Sequence, residues 1–597
     1  MRGVKARLSM LILVAMPALA ILAAAPQPRA AAIQPEDGNW IMPGKNYAST
    51  RYSALNEIDA GNVAGLRVEF TFSTGALRGH EGTPIVRGDT MYVVTPYPNH
   101  VYALDLTRPG ALKWRYDPRP AATAQGVACC DVVNRGPTLS GDALYLTTLD
   151  GQVIALEATT GAERWRVQLG DINKGETLTM APLVAAGNVL VGNSGGEFGV
   201  RGWLVALDRA TGKQRWRAYS TGPDSDVLIG PRFTPYYDSE RGSNLGVESW
   251  PPEAWKTGGG TVWGWISYDA ELGQLYHGTA NPGPWNDEQR PGDNKWTGGI
   301  FARDVHTGEA LWFYQSVPHD LYDYDSINEL VLLDLQIEGV ERKVLVRPER
   351  NGYLYVIDRT TGEVLSADRY AHVNSITGVD LRTGRPTYNP DKKPRFGRVV
   401  RDICPAAPGS KDWNPSAYSP ITGLLYIPHL NLCMDWESVE ANYIAGTPYV
   451  GANTVMHAGP GGNRGELLAW DVSRRRKVWS IKEDLPLWSG ALATGGNLVF
   501  YGTLDGGLKA LDARTGELKW RFQTGSGIIG QPVTYRGPDG RQYVAVLSGV
   551  GGWAGAIVAG ELDARDPTAA NGFANAVGDL PGRTAKGGML YVFALPR

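Results

Sequence analysis

One short pattern recurs along this 597-residue chain and limits the folds open to it. An apolar strand is followed by an acidic residue, a turn that ends in Thr-Gly, and a tryptophan after three more residues. Clear copies occupy residues 153–165, 203–216, 299–312 and 507–520. Each copy predicts two β-strands joined by a turn in which glycine provides backbone freedom, with tryptophan on the outer strand packing against the next unit.

Three weaker copies bring the number to seven. They are residues 101–114, residues 353–366 with Ser366 in place of tryptophan, and residues 467–479 without Thr-Gly. Repeats of this kind, near 50 residues long, are typical of β-propellers.

Two intervals between copies are about twice as long as the others. They contain residues 222–298 and 366–436, which are rich in proline, glycine and tryptophan. We interpret them as inserted loops rather than as missing blades.

An eighth unit can be assembled from the two ends of the chain. Residues 66–75 resemble the outer half of a repeat, and residues 589–597 resemble the inner half. Pairing them would close the ring and hide both edge strands. The sequence therefore predicts an all-β fold, an eight-bladed β-propeller with long inserted loops, over residues 33–597.

The N-terminus predicts export. Arg2, Lys5 and Arg7 precede an apolar run over residues 8–25 and a stretch of small residues, so residues 1–32 are expected to be a cleaved secretory signal; an uncleaved anchor is the alternative. We expect the mature chain in the periplasm with no integral membrane segment. The formal net charge of −3 and the lack of a long basic run argue against nucleic-acid binding.

Export also permits disulfides. Cys404 and Cys433 could form an ordinary loop-closing bridge, whereas Cys129 and Cys130 are adjacent. Neighbouring Cα atoms lie about 3.8 Å apart, below the roughly 4.4 to 6.8 Å usual for a disulfide, so a bond between them needs a strained ring. Such strain is usually held at functional sites. Two unbonded thiols are the alternative.

Nine segments carry a resemblance to a known family. They are HEG (80–82), GVACCDVVNRG (126–136), TLTMAP (177–182), NSGGEFGVRG (193–202), GGGTVWGW (258–265), GTANPGPWN (278–286), RPGDNKWT (290–297), PHDLYDYD (318–325) and ERNGYLYVIDR (349–359). In this order they resemble the quinoprotein alcohol dehydrogenases. The resemblance implies an eight-bladed propeller that holds pyrroloquinoline quinone (PQQ) on its axis beside a metal ion.

The resemblance also implies the cofactor contacts. A bonded Cys129–Cys130 pair would lie against one face of the quinone, and Trp263 would cover the other. Arg135 and Arg350 match donors to the PQQ carboxylates and quinone oxygens. Further matches are Glu81, Thr179, Ser194, Gly195, Gly196, Trp488, Trp553 and Asp412. For Asp412 the surrounding KDWNPSAY differs from the methanol enzymes, and a surface salt bridge or turn residue is the alternative.

Four residues match the metal site of the family. Glu197, Asn281 and Asp323 offer oxygen ligands for a hard cation such as calcium. Calcium enzymes usually carry a small residue at the position of Asp325. A second carboxylate there suits a trivalent lanthanide, and the pair Asp-Tyr-Asp marks the lanthanide-dependent branch. The alternative for Asp325 is a solvent-facing loop acid, which is what we expect of Asp320.

The predicted function follows from these matches. Asp323 would take the alcohol proton, with Arg350 assisting the charge on the quinone, in a PQQ- and lanthanide(III)-dependent dehydrogenase of methanol and other small primary alcohols. Electrons would pass to a separate cytochrome c, because the chain has no CxxCH haem motif. The family suggests a homodimer.

Two rival functions stay open on the sequence alone. One is a calcium-dependent PQQ dehydrogenase of ethanol or a broader set of primary alcohols. The other is a non-catalytic periplasmic propeller that binds partners, because a propeller fold does not fix its function.

Overall fold

A computed structural model describes residues 35–597 and the backbone of the two-residue strand Arg29–Ala30. Apart from that strand, the predicted signal segment 1–32 lies outside the described residues. Strands dominate, and in the described part of the chain no helix has both the length and the apolar character needed to cross a membrane.

Eight sheets of four or five strands contain most of the described strands, and we number them 1 to 8. Sheets 1 to 4 consist of Ile85–Arg87, Thr90–Val94, Val101–Asp105 and Ala111–Tyr116; Thr138–Ser140, Ala143–Thr147, Gln152–Glu157 and Glu163–Gln168; Leu183–Ala185, Asn188–Gly192, Trp203–Asp208 and Gln214–Tyr219; and Ile266–Asp269, Gln274–Thr279, Gly299–Asp304 and Ala310–Gln315. In each of these sheets consecutive strands pair antiparallel.

The second half of the chain repeats this arrangement with additions. Sheets 5 to 8 consist of Val331–Ile337, Val340–Pro348, Tyr353–Asp358 and Val364–Arg369, with Arg29–Ala30 at the edge; Ala417–Ser419, Leu424–Leu430, Gly465–Asp471 and Arg476–Glu483; Leu492–Thr494, Leu498–Gly502, Gly507–Asp512 and Leu518–Gln523, with Tyr52–Ser53 added in parallel; and Val533–Arg536, Gln542–Ser548, Met589–Ala594 and Arg67–Ser73.

The long intervals hold inserted structure, as predicted. Between sheets 3 and 4 lie the short helices Asp224–Val227 and Leu245–Glu248. After sheet 5, Ile376–Asp380 and Arg385–Tyr388 form a hairpin. A three-stranded sheet then follows, made of Val399–Ile403, Leu432–Ser438 and Ala452–Ala458. The predicted Cys404–Cys433 disulfide is present in this insertion.

Short helical segments complete the described structure. The other helices are Gly552–Val558 and Phe573–Ala576, and the 3-10 turns are Val63–Gly65, Ala122–Val127, Ile172–Lys174, Gly196–Phe198, Asp238–Glu240, Ala254–Thr257, Asp287–Gln289, Pro390–Lys392 and Leu580–Gly582.

Buried apolar cores join each sheet to the next. One core contains strands of sheets 7, 8, 1 and 2, and a second contains strands of sheets 2, 3 and 4. Three more join sheets 4 and 5, sheets 5 and 6, and sheets 6 and 7. The sheets therefore follow one another in a closed ring, because every sheet needs a neighbour on both faces to bury its apolar side chains.

The repeat tryptophan links successive sheets. The indole N–H of Trp114 in sheet 1 donates to the carbonyl of Ala158 in sheet 2 at 3.0 Å. Gly161, the glycine of the next Thr-Gly turn, has φ +73° and lies so close that a Cβ there would be 2.6 Å from the Trp114 ring. The turn glycine is thus required both for its backbone conformation and for the space that the preceding tryptophan occupies.

This tryptophan–glycine contact recurs around the ring. The further pairs are Trp165 with Gly212, Trp216 with Gly308, Trp312 with Gly362 and Trp479 with Gly516. Each of these indoles also donates to a backbone carbonyl of the following sheet, and so does Trp520, to Leu66.

The repeat without tryptophan (residues 353–366) and the repeat without Thr-Gly (residues 467–479) belong to the adjacent sheets 5 and 6. We call the contact between two adjacent sheets a seam. Sheet 5 has Ser366 where the tryptophan would be, and the turn of sheet 6 that would supply the glycine reads Ser-Arg-Arg-Arg. Both partners of the contact are therefore absent together. At this seam the guanidinium of Arg475 binds the two carboxylate oxygens of Asp368, each at 2.8 Å.

The predicted pairing of the chain ends is confirmed. Met589–Ala594 pairs antiparallel with Arg67–Ser73 on one side and with Gln542–Ser548 on the other. Only the C-terminal strand is hidden by this pairing. The prediction that both strands lose their exposed edges was wrong for Arg67–Ser73, which is the outermost strand of sheet 8 and has exposed residues at 67–69.

Candidate active site

One cavity collects nearly all of the predicted site residues. It has about 720 Å³ of space free of protein atoms, part of which is open solvent. Its predicted lining residues are Glu81, Cys129, Cys130, Arg135, Thr179, Ser194, Gly195, Glu197, Trp263, Asp323, Asp325, Arg350, Asp412, Trp488 and Trp553. The other two, Gly196 and Asn281, lie together behind the wall, where the Asn281 Oδ1 is 3.5 Å from the Cβ position of Gly196.

Arg135 forms a fixed cationic platform at one side of the cavity. Its guanidinium pairs with the Glu81 carboxylate at 2.9 Å and donates to the Thr179 hydroxyl at 2.9 Å. It also lies 4.7 Å from the ring centroid of Trp263 and 5.0 Å from that of Trp413. The Arg135 Nε is buried and has no hydrogen-bond partner among the described residues. A free, buried donor of this kind points to an anionic ligand oxygen.

Arg350 joins the acidic residues of the site. Its Nη2 lies 2.7 Å from Asp412 and 3.1 Å from Asp325, and its Nη1 lies 3.7 Å from the Asp323 carboxylate. The indole of Trp488 donates to the other oxygen of Asp412 at 3.0 Å. Asp412 is therefore a buried member of the site and not a surface salt bridge or turn residue.

Two oxygens among the predicted metal ligands have no partner. The Oδ1 atoms of Asn281 and Asp323 are buried and accept no hydrogen bond from described residues. In contrast, the Oδ1 of Asp325 accepts the backbone N–H of Asn281 at 2.7 Å. Buried oxygens without donors are costly unless a cation or another ligand satisfies them. Together with Glu197 they form an all-oxygen donor set that suits a hard cation.

The charges of the cavity wall are unbalanced. Five carboxylates line it, from Glu81, Glu197, Asp323, Asp325 and Asp412, against the two guanidinium groups of Arg135 and Arg350. This leaves an excess of three protein carboxylates, before the charge of any bound anion is counted.

The pKa values of the acids respond to this crowding. Burial raises the pKa of Asp325 to about 7, against the opposing charge of Arg350. Burial, and next the charge of Asp325, raises the pKa of Asp323 well above its usual range. Burial raises the pKa of Glu81 to about 8 although Arg135 lowers it. Without a bound cation, the site therefore disfavours full ionisation of its acids.

Asp323 has an uncommon backbone conformation. Its φ is +68°, in the left-handed region that side chains other than glycine rarely adopt. The segment is therefore not an extended strand in which alternate residues face the same way. Asp323 and Asp325 nevertheless line the same cavity.

The expectation that Asp320 is a solvent-facing loop acid was wrong. Its side chain is buried and accepts the backbone N–H groups of Tyr322, Asp323 and Tyr324 at 2.9 to 3.1 Å. Its own carbonyl accepts from Arg290 at 2.6 Å. These donors compensate the cost of burying the carboxylate.

Cys129 and Cys130 line the cavity as two free thiols, so the bond predicted between them is not present in the structure. An ordinary trans peptide fixes the spacing of adjacent Cα atoms below that of usual disulfides, and the bonded ring needs a departure from that geometry. Cys130 and the following Asp131 have positive φ angles of 61° and 92°.

The sequence analysis missed several residues of the cavity wall. They are Val133, Thr177, Trp285, Trp413, Gly552 and Asn571. Trp285 and Trp413 lie within quoted segments, next to residues that were singled out, and an aromatic side chain beside predicted ligands is the signal that could have found them. No comparable signal marks Asn571, which lies in the inserted segment between the strands Gln542–Ser548 and Met589–Ala594 of sheet 8.

Comparisons with known proteins agree with this site. The family model of PQQ proteins described as glucose/ethanol/alcohol dehydrogenase, β-propeller domain, matches residues 40–136, 167–379 and 456–544. A lanthanide-dependent methanol dehydrogenase of Methylacidiphilum fumariolicum is 51% identical, with 94% of this chain and 93% of that protein covered. Subunit 1 of the cytochrome c methanol dehydrogenase of Paracoccus denitrificans is 44% identical, with 94% and 90% covered.

A solved structure is also similar. A europium-containing methanol dehydrogenase superposes with a TM-score of 0.93 at 51% identity, over 94% of this chain and 99% of that chain.

Proposed function

The chain belongs to the family of PQQ-dependent glucose, ethanol and alcohol dehydrogenases, and on that basis we propose that it is a lanthanide-dependent methanol dehydrogenase. It oxidises methanol and other small primary alcohols to aldehydes. The observation that carries this proposal is the excess of three carboxylates in the cavity wall, to which Asp325 contributes.

The cavity fits PQQ, a planar aromatic anion. The Nε atoms of Arg135 and Arg350 are buried donors without hydrogen-bond partners among the described residues, and they are suited to its carboxylates and quinone oxygens. The ring of Trp263 and the Cys129–Cys130 pair line the cavity and would contact the aromatic ring system. Thr179 and Ser194, whose hydroxyls are 3.0 Å apart, supply further hydrogen bonds.

Glu197, Asn281, Asp323 and Asp325 would hold the metal ion. Three of these residues are carboxylates, and the two unpaired Oδ1 atoms of Asn281 and Asp323 supply ready ligands. Three negative charges match a trivalent ion more closely than calcium. Binding a cation also favours the ionised form of acids whose pKa is raised by burial and crowding.

The protein side of the reaction rests on two residues. The Asp323 carboxylate, which lines the cavity, accepts the hydroxyl proton of the alcohol. Arg350, which touches Asp323 and Asp325, stabilises negative charge that develops beside them. When bound, PQQ would supply the quinone that accepts the hydride, which carries both electrons of the alcohol oxidation.

Several wider features belong to this proposal. We infer that the eight sheets are the blades of one eight-bladed propeller over residues 33–597, and that the mature enzyme acts in the periplasm after residues 1–32 are removed. Electrons leave singly to a cytochrome c, and the enzyme is a homodimer.

Reconstitution with different metals tests the function directly. Metal-free protein is loaded with PQQ and either lanthanum, cerium, europium or calcium, and reduction of an artificial dye is followed with methanol, ethanol, butanol or formaldehyde as substrate. We expect activity with the light lanthanides, with methanol among the best substrates. Equal or greater activity with calcium contradicts the metal assignment, and the lack of any quinone spectrum contradicts the enzyme assignment.

A further inference from the structure

One buried acid, Asp320, takes no part in the proposed reaction but lies in the same loop as Asp323 and Asp325. Asp320 is 1% exposed, and its carboxylate contacts backbone rather than ligand. Its Oδ1 accepts the N–H of Tyr322 at 3.1 Å. Its Oδ2 accepts the N–H groups of Asp323 and Tyr324 at 2.9 and 3.1 Å. One side chain thus accepts hydrogen bonds from three successive backbone amides.

These three bonds stabilise the conformation that Asp323 needs. A left-handed φ of +68° is unfavourable for a residue other than glycine, so the surrounding structure must enforce it. Each hydrogen bond to a buried carboxylate is charge-assisted and roughly twice as strong as a neutral one. Removing the carboxylate would leave three buried N–H groups free to turn elsewhere.

Asp320 is also tied to the second loop of the metal site. The guanidinium of Arg290 donates to the carbonyl of Asp320 and to the carbonyl of Pro284, both at 2.6 Å. Pro284 lies three residues after Asn281, whose N–H donates to the Asp325 carboxylate at 2.7 Å. The loop with Asn281 and the loop with Asp323 and Asp325 are thereby held at a fixed separation.

His319 strengthens the same junction. The His319 ring lies 2.7 Å from the carbonyl of Gly292 and 3.3 Å from the carboxylate of Asp287. The backbone N–H of His319 donates to the carbonyl of Asp293 at 3.2 Å. Two adjacent residues, 319 and 320, therefore anchor the reacting loop to the segment 284–294.

We propose that Asp320 is the positioning residue of the metal site. Its carboxylate fixes Asp323 in the left-handed conformation that directs Oδ1 to the ion, and its carbonyl, through Arg290, sets the distance to Asn281. The inference rests on the proposed metal site and adds to it a residue that touches neither metal nor substrate.

The test uses the protein loaded with europium(III), with PQQ added for the kinetic measurements, in wild type and in the variants Asp320→Ala and Asp320→Asn. Asp208→Asn is the matched control, because Asp208 also accepts two backbone N–H groups, at 2.9 and 3.0 Å, in a turn of sheet 3 outside the cavity. The measurements are europium affinity, the number of bound waters from emission lifetimes in H₂O and D₂O, and kcat and KM for methanol.

We expect Asp320→Ala to bind europium at least 10-fold more weakly, to gain at least one bound water, and to lose about 10²-fold in kcat. Its KM for methanol should change far less than its kcat. Asp320→Asn should show smaller losses because one acceptor oxygen remains, and Asp208→Asn should match the wild type in every measurement.

Wild-type affinity, hydration and kcat in Asp320→Ala would overturn the proposal while the metal site stands. A wild-type protein that binds no europium would overturn the metal site and this proposal together. If Asp320→Ala does not fold, Asp320→Asn decides: unchanged europium emission and unchanged kcat in that variant overturn the positioning role.

Discussion

At the scale of residues, the acids of the cavity differ in their partners. The Glu81 carboxylate is paired with Arg135, and the Asp412 carboxylate accepts hydrogen bonds from Arg350 and from the indole of Trp488. Glu197, Asp323 and Asp325 are the carboxylates left over for a cation. Asp325 therefore decides whether the excess of negative charge is two or three.

Replacing Asp325 tests this charge match. In Asp325→Ala the excess falls to two carboxylates, so we expect europium or lanthanum to bind more than about 100-fold more weakly and methanol oxidation with lanthanides to be lost. Calcium should suffer a smaller loss because its charge equals the remaining excess. Titration of the metal-free protein with each ion measures both effects.

The variant Asp325→Asn separates charge from shape. It keeps the size of the side chain and an oxygen that can accept the Asn281 N–H, so a similar loss of lanthanide affinity would assign the effect to charge. Full lanthanide affinity and activity in Asp325→Ala would remove this residue from the metal site.

The sequence could predict which residues gather in the cavity but not how the loop presents them. Matching segments located Arg350 and Asp412, which the structure brings within 2.7 Å of each other. The spacing of the acids at 320, 323 and 325 is equally compatible with a solvated loop. Burial of Asp320 depends on Arg290 and on three amides, and no pattern of residue types reveals those contacts.

At the scale of elements, the repeat could be recognised in the sequence because its glycine and its tryptophan serve one recurring contact between neighbouring sheets. The acidic residue begins the turn, glycine makes room for the preceding indole, and tryptophan reaches a carbonyl of the next sheet. The pairing of both chain ends in sheet 8 followed from the same logic. Inserted strands such as Val399–Ile403 could not be predicted in this way, because they occur once and carry no repeat.

The tryptophan contact is expected to contribute measurably to stability. Trp312 is 1% exposed, covers Gly362 and donates to the carbonyl of Arg359 at 3.1 Å. Trp312→Ala should lower the free energy of unfolding by about 3 to 5 kcal/mol through the cavity it creates. Trp312→Phe should cost about 0.5 to 1.5 kcal/mol through the lost hydrogen bond, since the carbonyl keeps the Tyr276 hydroxyl as a donor.

Guanidinium denaturation of the wild type and the variants measures these differences. Leu518→Ala is the control, because Leu518 lies on the outer strand of sheet 7 and is 51% exposed, so its loss should change stability by less than about 0.5 kcal/mol. Equal midpoints for Trp312→Ala and Leu518→Ala would contradict a structural role for the repeat tryptophan.

At the scale of the whole molecule, the ring and the site are coupled through the ion. The cavity draws its walls from segments as far apart in the chain as Glu81 and Trp553. A ligand that binds only where these segments meet must stabilise the folded chain against the unfolded one.

Metal binding should therefore raise the unfolding temperature in the order of charge. At a lanthanum concentration 100 times its Kd, the folded state gains about 2.7 kcal/mol. Calcium at the same concentration should give a smaller shift, and Asp325→Ala should lose most of the lanthanum effect. Thermal unfolding of metal-free protein with each ion measures the shift; an equal response to both ions would contradict the argument from charge.

The seam between sheets 5 and 6 differs from its neighbours in the forces that close its outer end. At five other joins, those between sheets 1 and 2, 2 and 3, 3 and 4, 4 and 5, and 6 and 7, an indole lies on a glycine, a contact that dissolved ions hardly affect. Here the Asp368 and Arg475 side chains meet in water, with Arg475 about half exposed, so dissolved ions screen their attraction. The contacts between neighbouring sheets therefore differ in their response to salt. At high salt concentration the contact between sheets 5 and 6 should weaken first, while the tryptophan–glycine contacts between other sheets stay in place.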